Sequence, residues 1–207
     1  MIRARVAQRL PTGDVMGFPH VRVPHGAMWF REHGPLGPWW FASGTGGRFN
    51  LDEPRGSLYL ASSAEAAARE RIGGPLAQAG VVPATLVEDR AVSAIALDAS
   101  VEAADLTARD ALRHGVVCHE LCTMTPYDVP RAWAAAFDAA GFGGIVGTIR
   151  FSPPTERALT VFGGAGARDW EMPADAVALR AVLEGLDVRV IEPPSSRSLT
   201  FVDPPGL

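Results

Sequence analysis

Short runs in which apolar and polar residues alternate predict strands in the first half of the chain. Residues 27–31 and 57–61 show the alternation most clearly, and residues 21–23 show it over a shorter stretch. A period of two places successive side chains on opposite faces of a sheet, which suits a strand with one face on the core. The first of these runs ends in Arg31, so its guanidinium is expected at a strand end.

Runs rich in alanine and other good helix formers predict helices between the strands. Ser62 and Glu65 have the spacing of a capping box at the start of the first helix, and Gly73-Gly74 is expected to end it. Three further helices are predicted at residues 107–117, 130–140 and 175–186. Further strands are predicted at residues 81–87, 91–98, 142–151, 158–162, 188–191 and 199–202.

The order of these segments indicates the class of fold. Strands and helices follow one another without the regular alternation of a doubly wound parallel sheet, which favours an α+β fold with central mixed or antiparallel sheets and flanking helices. The 207 residues, of which 47% are apolar, can fill the core of a single domain. Residues 1–26, which contain several prolines and glycines, are expected to form an irregular lead-in to a domain at residues 27–207.

The net charge and the cysteine content limit the classes of ligand and the cellular compartment that we expect for this protein. A formal net charge of −4 disfavours a general nucleic-acid or anionic-membrane binder, although a few well-placed arginines suffice for an anionic small molecule. The two cysteines, Cys118 and Cys122, indicate no disulfide framework and a reducing compartment. Because neither an apolar signal segment nor a run of membrane-spanning length is evident, we expect a cytoplasmic protein.

Most of the candidate catalytic and ligand-binding residues lie between residues 27 and 73. Arg31 lies on a predicted strand, Arg48 follows two glycines in a loop, and Glu70 lies on a predicted helix. Residues 33–50 form a long loop rich in glycine, proline and aromatic residues. Loops of that kind in compact domains usually bind ligands.

Arginine and glutamate in this arrangement suit a ligand with phosphate and sugar groups. A guanidinium binds phosphate through two parallel charge-assisted bonds, and the glycines before Arg48 let the backbone approach a ligand. A lone carboxylate such as Glu70 can stabilise a cation that develops at a sugar carbon. On spacing alone the plainer alternative is favoured, in which Arg48 pairs with Asp52 or Glu53 and Glu70 faces solvent.

A set of motifs favours the ligand-binding interpretation over the plainer alternative, because together the motifs resemble those of the RES domain family. The set comprises Trp29-Phe30-Arg31, the sequence Gly-Gly-Arg-Phe-Asn at residues 46–50, the sequence Tyr-Leu-Ala-Ser-Ser at residues 59–63, and the alanine-rich helix that carries Glu70. The likeness continues at residues 127–133, 140–145 and 159–162 and covers about two thirds of the chain. The combination is much more specific than any one of its pieces.

The resemblance implies a single domain similar to the ADP-ribosyltransferase fold, which binds NAD in a cleft. It implies an enzyme that degrades NAD by hydrolysis or phosphorolysis without a metal. It also implies the toxin of a toxin–antitoxin pair, silenced by an antitoxin with a helix-turn-helix domain, and leaves a homodimer open. The catalytic residues it implies are Arg31, Glu70 and Thr148, and the substrate-binding residues are Arg48, Tyr59, Asn50 and Phe49.

Two positions depart from the family pattern. Thr148 stands where the family has serine, so a hydroxyl is retained. Glu32 follows Arg31 where an aromatic or aliphatic residue is commoner, and a carboxylate beside a phosphate-binding arginine would weaken its attraction for the ligand. These departures bear on catalytic strength more than on the identity of the ligand.

The chemistry of NAD agrees with the implied site. Nicotinamide is already a cationic leaving group, so the enzyme mainly has to stabilise an oxocarbenium-like ribose. We expect Glu70 to contact the ribose hydroxyls and the developing charge, and Arg31 and Arg48 to bind the diphosphate. Tyr59 is expected to contact a ring of the ligand. The alternatives are a mono-ADP-ribosyltransferase that modifies a protein, and a catalytically weak NAD-binding module whose role is interaction.

Three other groups of residues suggest chemistry less strongly. His114, Cys118 and Cys122 are four apart and could present zinc ligands on one helical face, but their spacing matches no common zinc motif and core packing is favoured. The glycines at 163–166 lack the lysine and hydroxyl of a P-loop and indicate a turn. Trp39 and Trp40 can form a lid over the ligand or a contact with a partner protein.

Overall fold

The computed structural model describes residues 7–195 of the chain. The strands within them are β1 (His20–Val23), β2 (Met28–His33), β3 (Trp40–Phe41), β4 (Arg55–Ala61), β5 (Val82–Pro83), β6 (Ala91–Ala96), β7 (Val101–Asp105), β8 (Gly144–Thr148), β9 (Arg157–Gly164), β10 (Gly166–Ala167), β11 (Val177–Ala178) and β12 (Val190–Ile191). The helices are α1 (Ala64–Ala79), α2 (Cys118–Thr123), α3 (Asp128–Ala139) and α4 (Leu179–Gly185). Short 3-10 helices lie at Gly44–Gly46, Ala84–Leu86 and Arg109–His114.

One large mixed sheet organises the domain. Its strand order is β1-β7-β8-β9-β4-β2-β6-β11, and neighbours are antiparallel except β7 and β8, which are parallel. Two further pairs form small sheets, β3 with β10 and β5 with β12. The predicted α+β class, with a mixed sheet and flanking helices, is therefore confirmed.

The four helices share one face of the large sheet. Helices α2 and α3 contribute to a core that contains Trp133 and reaches Phe162 on β9. Helices α1 and α4 contribute to a second core that contains Ile72 and reaches Ala158 on the same strand. Because residues two and four apart on a strand point the same way, both cores lie on one side of the sheet, which we call the helix face.

The opposite side of the sheet, which we call the loop face, carries Leu159 of β9 in a third core. Within residues 7–195 that core contains strand and loop residues but none from a helix. Trp39, before β3, packs edge-on against Trp170 with ring centroids 5.0 Å apart, and its Nε1 donates to the carbonyl of Glu171 at 2.9 Å. The loop before β3 and the segment after β10 thus cover this face in place of helices.

The N-terminal cap of α1 differs by one residue from the prediction. The N-cap is Ser63, whose Oγ accepts a hydrogen bond from the Ala66 amide at 3.1 Å. Ser62 instead donates its hydroxyl to the Glu156 carboxylate and accepts from the Arg157 amide at 2.9 Å. The predicted capping box at Ser62 was therefore wrong, because a long-range partner holds that serine.

The C-terminal half of α1 also differs from the prediction. The helix passes through Gly73 and Gly74 and ends before Gly80, which adopts a left-handed φ of 68°. A Cβ added at Gly73 would lie 2.1 Å from the ring of Phe151, so a side chain there would displace that ring. The glycine therefore serves packing, and the helix continues.

Several other segments differ from the sequence predictions. Residues 107–117 form a 3-10 helix that ends at Gly115, with φ of 80°, instead of an α-helix, and α2 follows. Residues 81–87 give only β5 and a 3-10 turn, while β7 was not predicted. The last predicted strand, 199–202, lies outside the described residues. No helix among residues 7–195 has both the length and the apolar character needed to cross a membrane.

Candidate functional site

The hydroxyl of Tyr59 ties the glycine-rich loop to strand β4. It donates to Asn50 Oδ1 at 2.8 Å and accepts from the Phe49 amide at 2.9 Å. Ser57, two residues earlier on β4, donates to the Phe49 carbonyl at 2.7 Å. A Cβ at Gly47 would lie 2.2 Å from Asn50 Oδ1 and 2.8 Å from the tyrosine oxygen, so this network requires glycine there.

Tyr59 is also an electrostatic neighbour of the predicted arginines. Burial raises the pKa of its phenol well above the usual range, while the backbone amide of Phe49 and the charges of Arg48 and Arg31 act in the opposite direction. The phenol therefore stays protonated and keeps its donated hydrogen bond. The structure brings together five of the predicted site residues, namely Arg31, Arg48, Phe49, Asn50 and Tyr59, and their roles stay predictions.

Arg31 lies within β2, opposite Ser93 of β6, rather than at the strand end that the sequence predicted. Its Nη1 is buried and has no hydrogen-bond partner among residues 7–195. Burial lowers the pKa of this guanidinium from its usual value to about 10; Glu32 and Tyr59 oppose the shift and Arg90 adds to it. Arg31 is thus a half-buried cation, and its Nη1 can still donate a hydrogen bond.

Glu32 is neutralised by Arg90 rather than by Arg31. Arg90 makes two hydrogen bonds to the carboxylate, one from Nε to Oε1 and one from Nη2 to Oε2, the second 2.8 Å long. The bond to Glu32 raises the pKa of the Arg90 guanidinium. Because the fork of Arg90 occupies both carboxylate oxygens, Glu32 weakens Arg31 less than its position in the sequence suggests.

Arg48 has no carboxylate partner among the described residues. Its guanidinium carbon lies 5.3 Å from the centroid of the Tyr127 ring, and its Nε is buried without a hydrogen-bond partner. Asp52 pairs instead with Arg131, and Glu53 accepts a long hydrogen bond of 3.5 Å from Ser43. The alternative in which Arg48 pairs with Asp52 or Glu53 was therefore wrong.

Thr148, the last residue of β8, lies beside Cys122 of α2. Its hydroxyl oxygen is buried and has no hydrogen-bond partner in the described part of the chain. The Cys118 thiol, by hydrogen bonding to Cys122, lowers the pKa of Cys122; burial opposes this shift, and Thr148 and Arg48 support it. Thr148 and Arg48 thus both influence the pKa of the Cys122 thiol.

Glu70 lies on α1 and is exposed to solvent. Its Oε1 accepts a hydrogen bond of 3.4 Å from the amide of Phe151, three residues after Thr148. The carboxylate therefore faces the segment that follows β8 and makes no hydrogen bond or ion pair with Arg31 or Arg48. The solvent-facing alternative for Glu70 agrees with its exposure.

Three of the predicted site residues, Arg31, Arg48 and Thr148, have buried polar atoms without partners among residues 7–195. Five such side-chain atoms occur in residues 7–195: Arg31 Nη1, Arg48 Nε, Arg131 Nε, Thr148 Oγ1 and Ser152 Oγ. Most buried polar groups in proteins are hydrogen-bonded, so a cluster of exceptions calls for an explanation. Three of the five atoms are cationic donors, which suit the oxygens of an anionic ligand.

Two of the five residues with such atoms, Arg131 and Ser152, were not singled out by the sequence analysis. Arg131 lies on α3 beside Tyr127, and Ser152 lies in the turn after β8. The family likeness over residues 127–133 was the only available pointer to Arg131 and Tyr127. Ser152 precedes two prolines in a stretch that indicates a turn and nothing more.

Two sizeable cavities lie elsewhere, on the loop face. One of about 430 Å³ and one of about 710 Å³ are both lined by Trp39 and Trp170. Four carboxylates border the larger cavity, from Asp98, Asp169, Glu171 and Asp175. An acidic rim does not suit a phosphate ligand, and Trp39 is held on this face. The structure thus holds Trp39 on the loop face, and its role as a lid or as a partner contact stays a prediction.

The histidine and cysteines considered as zinc ligands do not share one helix. His114 ends the 3-10 helix and packs on Phe18, with ring centroids 5.0 Å apart, whereas Cys118 and Cys122 lie on α2. No group of three or more histidine, cysteine or acidic side chains in residues 7–195 is arranged to hold a metal ion. The glycines at the end of β9 form a turn, with Gly166 at φ of 95°.

The chain resembles known proteins in sequence pattern and in fold. The family model described as the RES domain matches residues 21–183. A chain of the crystal structure of the M. tuberculosis MbcT–MbcA toxin–antitoxin complex matches with a TM-score of 0.58 and 16% sequence identity, over 79% of this chain and 90% of that chain. No curated protein matches the chain in sequence. At 16% identity the structural likeness concerns the fold.

Proposed function

The chain belongs to the RES domain family, and from that premise we propose that it is an enzyme that consumes NAD by cleaving the bond between nicotinamide and ribose. The observation that carries this proposal is a pair of half-buried arginines near Tyr59, Arg31 and Arg48. Each has one buried guanidinium nitrogen without a hydrogen-bond partner, and neither pairs with a carboxylate among residues 7–195. The diphosphate of NAD supplies the anionic oxygens that their free N–H groups lack.

In the proposed reaction the arginines hold the diphosphate, and the nicotinamide ribose lies toward Thr148 and Glu70. The C–N bond breaks with its electron pair going to the nicotinamide nitrogen, which becomes neutral. Water or inorganic phosphate then forms the new C–O bond at the same carbon and, in the case of water, releases its proton to solvent. The Glu70 carboxylate stabilises the positive charge that develops on the ribose, and the Thr148 hydroxyl offers a hydrogen bond to the ligand.

A toxin–antitoxin role and a cytoplasmic site of action belong to the same proposal. The structural neighbour comes from a toxin–antitoxin complex, which supports a protein antitoxin as the partner of this chain. A helix-turn-helix domain in that antitoxin and a homodimer of this chain are further expectations. Co-expression with and without the product of a neighbouring gene would test whether the chain is toxic and whether a partner silences it.

The exposure of Glu70 favours one alternative function, an NAD-binding module with weak catalysis. Its carboxylate makes only the long contact with Phe151 and none with either arginine. A site of this kind binds the diphosphate well and stabilises the transition state poorly. Binding of NAD without release of nicotinamide, and without transfer of ADP-ribose to protein, would identify that module.

Nicotinamide release by the purified chain, with and without inorganic phosphate, tests the proposal directly. We expect release that Arg31→Ala and Glu70→Gln both abolish, and a dependence on phosphate would identify the acceptor. Glu65→Gln, an exposed glutamate in the first turn of the same helix, is the matched control and should behave as wild type. Release that survives Glu70→Gln would remove the role of Glu70, and failure of NAD to bind would reject the proposal.

A further inference from the structure

A separate cavity of about 300 Å³ opens beside Arg48, at the start of helix α3. It is lined by Thr45, Thr125, Pro126, Tyr127, Asp128 and Arg131. Small-molecule sites range from about 300 to 1,000 Å³, so this volume suits one part of a dinucleotide rather than the whole. The roles proposed above for Arg31, Arg48 and Glu70 leave this cavity unused.

Tyr127 connects the cavity to the arginine pair. Its ring carries the Arg48 guanidinium 5.3 Å from its centroid and also lines the cavity. Tyr127 and Arg48 both influence the phenol of Tyr59, so the three side chains are close neighbours. A ligand whose phosphate contacts Arg48 therefore has an aromatic surface within reach, and aromatic faces stack on nucleotide bases.

The polar groups of the cavity match a purine better than a simple apolar ring. Arg131 is fixed by its ion pair with Asp52, yet its Nε is buried and has no acceptor among residues 7–195. The carboxylate of Asp128 lines the same cavity and is exposed. Adenine presents a ring nitrogen that accepts and an exocyclic amine that donates, which complements a guanidinium N–H and a carboxylate.

We propose that the cavity formed by Tyr127, Asp128 and Arg131 is the subsite for the adenosine half of the dinucleotide, an assignment that rests on the proposed function. The diphosphate then bridges Arg48 and Arg31, and the nicotinamide half extends toward Thr148 and Glu70. Tyr127 stacks with the base, and Arg131 Nε donates to a ring nitrogen. The cavity thereby sets a preference for dinucleotides over mononucleotides of nicotinamide.

Parallel assays with NAD and with nicotinamide mononucleotide test this assignment, because the mononucleotide lacks the adenosine half. Tyr127→Ala and Arg131→Gln should each lower kcat/KM for NAD by about tenfold, the usual size of a lost stacking or hydrogen-bonding contact to a base. The same variants should leave kcat/KM for the mononucleotide within about twofold. Tyr127→Phe keeps the aromatic face and should behave as wild type with both substrates.

Arg55→Gln is the matched control for Arg131, because Arg55 also pairs with an aspartate of α3 but lies outside the cavity. It should leave both substrates unaffected. Equal losses with NAD and the mononucleotide would overturn the assignment, because Tyr127 would then act only by holding Arg48. Unchanged kinetics with NAD would overturn it as well.

Calorimetric binding of adenosine monophosphate separates this proposal from the proposed function. Binding to the wild type that Tyr127→Ala removes would support the subsite even if the protein released no nicotinamide, in which case the proposed reaction alone would fail. Nicotinamide release that depends on Glu70, together with no binding of the monophosphate, would reject the subsite and leave the reaction standing.

Discussion

The region around Tyr59 differs from the loop face of the large sheet in what it leaves unpaired. Near Tyr59, one guanidinium nitrogen of Arg31 and one of Arg48 are buried without an acceptor among residues 7–195, and a cavity of about 300 Å³ opens beside Arg48. The loop face has a cavity of about 710 Å³ lined by Trp39 and Trp170, with carboxylates at its rim. The loop-face cavity is the larger of the two, whereas the smaller cavity lies near guanidinium nitrogens that lack hydrogen-bond acceptors.

We place the proposed binding site by its unpaired polar atoms rather than by cavity volume. An unpaired buried donor costs about 1–3 kcal/mol, so a folded chain retains it only where another benefit offsets the cost. Packing between Trp39 and Trp170 carries no such cost. Charge separates the two regions further, because phosphate is attracted to the arginines and repelled by an acidic rim.

The largest effect is expected when the charge of Arg31 is removed. Arg31→Met should lower NAD affinity by about 100-fold through the loss of charge-assisted hydrogen bonds. It should also raise the free energy of unfolding of the unliganded protein by about 1–3 kcal/mol, because an apolar side chain replaces an unpaired buried cation. Calorimetry and urea unfolding measure the two effects.

Arg22→Met is the control for that substitution, because Arg22 is well exposed and pairs with Glu102. It should change neither quantity. A destabilised Arg31→Met protein would contradict the view that Arg31 is retained for a ligand and would make it a structural residue.

A second test breaks the ion pair between Arg90 and Glu32, which keeps the Glu32 carboxylate from pairing with Arg31. Arg90→Ala should lower NAD affinity by about tenfold, because the released Glu32 carboxylate would then compete for Arg31. Glu32→Gln alone should have little effect, and the double variant should recover nearly wild-type affinity. If Glu32→Gln fails to rescue Arg90→Ala, Arg90 supports the fold instead of protecting the charge of Arg31.

A third test follows from the lowered pKa of Arg31. Only the protonated guanidinium attracts the diphosphate, so NAD affinity should fall as the pH rises through about 10. In the unfolded chain the guanidinium keeps its usual, higher pKa. Above pH 10 the unfolded state therefore binds more protons than the folded state, and the penalty of burying charged Arg31 disappears as the pH rises. The difference in unfolding free energy between Arg31→Met and wild type should therefore shrink above pH 10. A constant difference up to pH 12 would contradict the lowered pKa.

The smallest effect on NAD is expected on the loop face. Trp170→Ala removes edge-on contacts with Trp39 and Phe41 and should lower the free energy of unfolding by about 1–2 kcal/mol. Because this tryptophan lines both loop-face cavities and not the cavity beside Arg48, kcat/KM for NAD should stay within about twofold of wild type. A loss of tenfold or more would contradict the functional distinction between the two regions.

The parts of the site that could be predicted from the sequence are close together along the chain. The loop at residues 46–50 is followed after a few residues by β4, so a hydrogen bond from Tyr59 to Asn50 joins residues only nine positions apart. Alternation along β2 and β4 was sufficient to predict both strands. Their residue types and spacing also carried the family resemblance, which the match over residues 21–183 confirms.

The parts that could not be predicted depend on pairing between distant residues. Arg90 reaches Glu32 across 58 positions, and Arg131 reaches Asp52 across 79. Periodicity indicates which face a residue takes, but not which strands become neighbours. For the same reason Gly73 was misread as a helix end, because the ring of Phe151 that requires it comes from much later in the chain. The catalytic roles of Glu70 and Thr148 stay predictions.

The strand order also has a consequence for synthesis on the ribosome. Strand β4, which carries Tyr59, lies between β2 and β9, and its longest pairing is with β9 near residue 160. Such distant pairings form late, because the intervening chain must be closed into a loop first. A nascent chain shorter than about 160 residues has β2 and β4 but no β9 to complete the sheet between the two helical cores. The residues around Tyr59 are therefore assembled only when translation is nearly finished, so truncated products carry the sequence motifs without the folded arrangement.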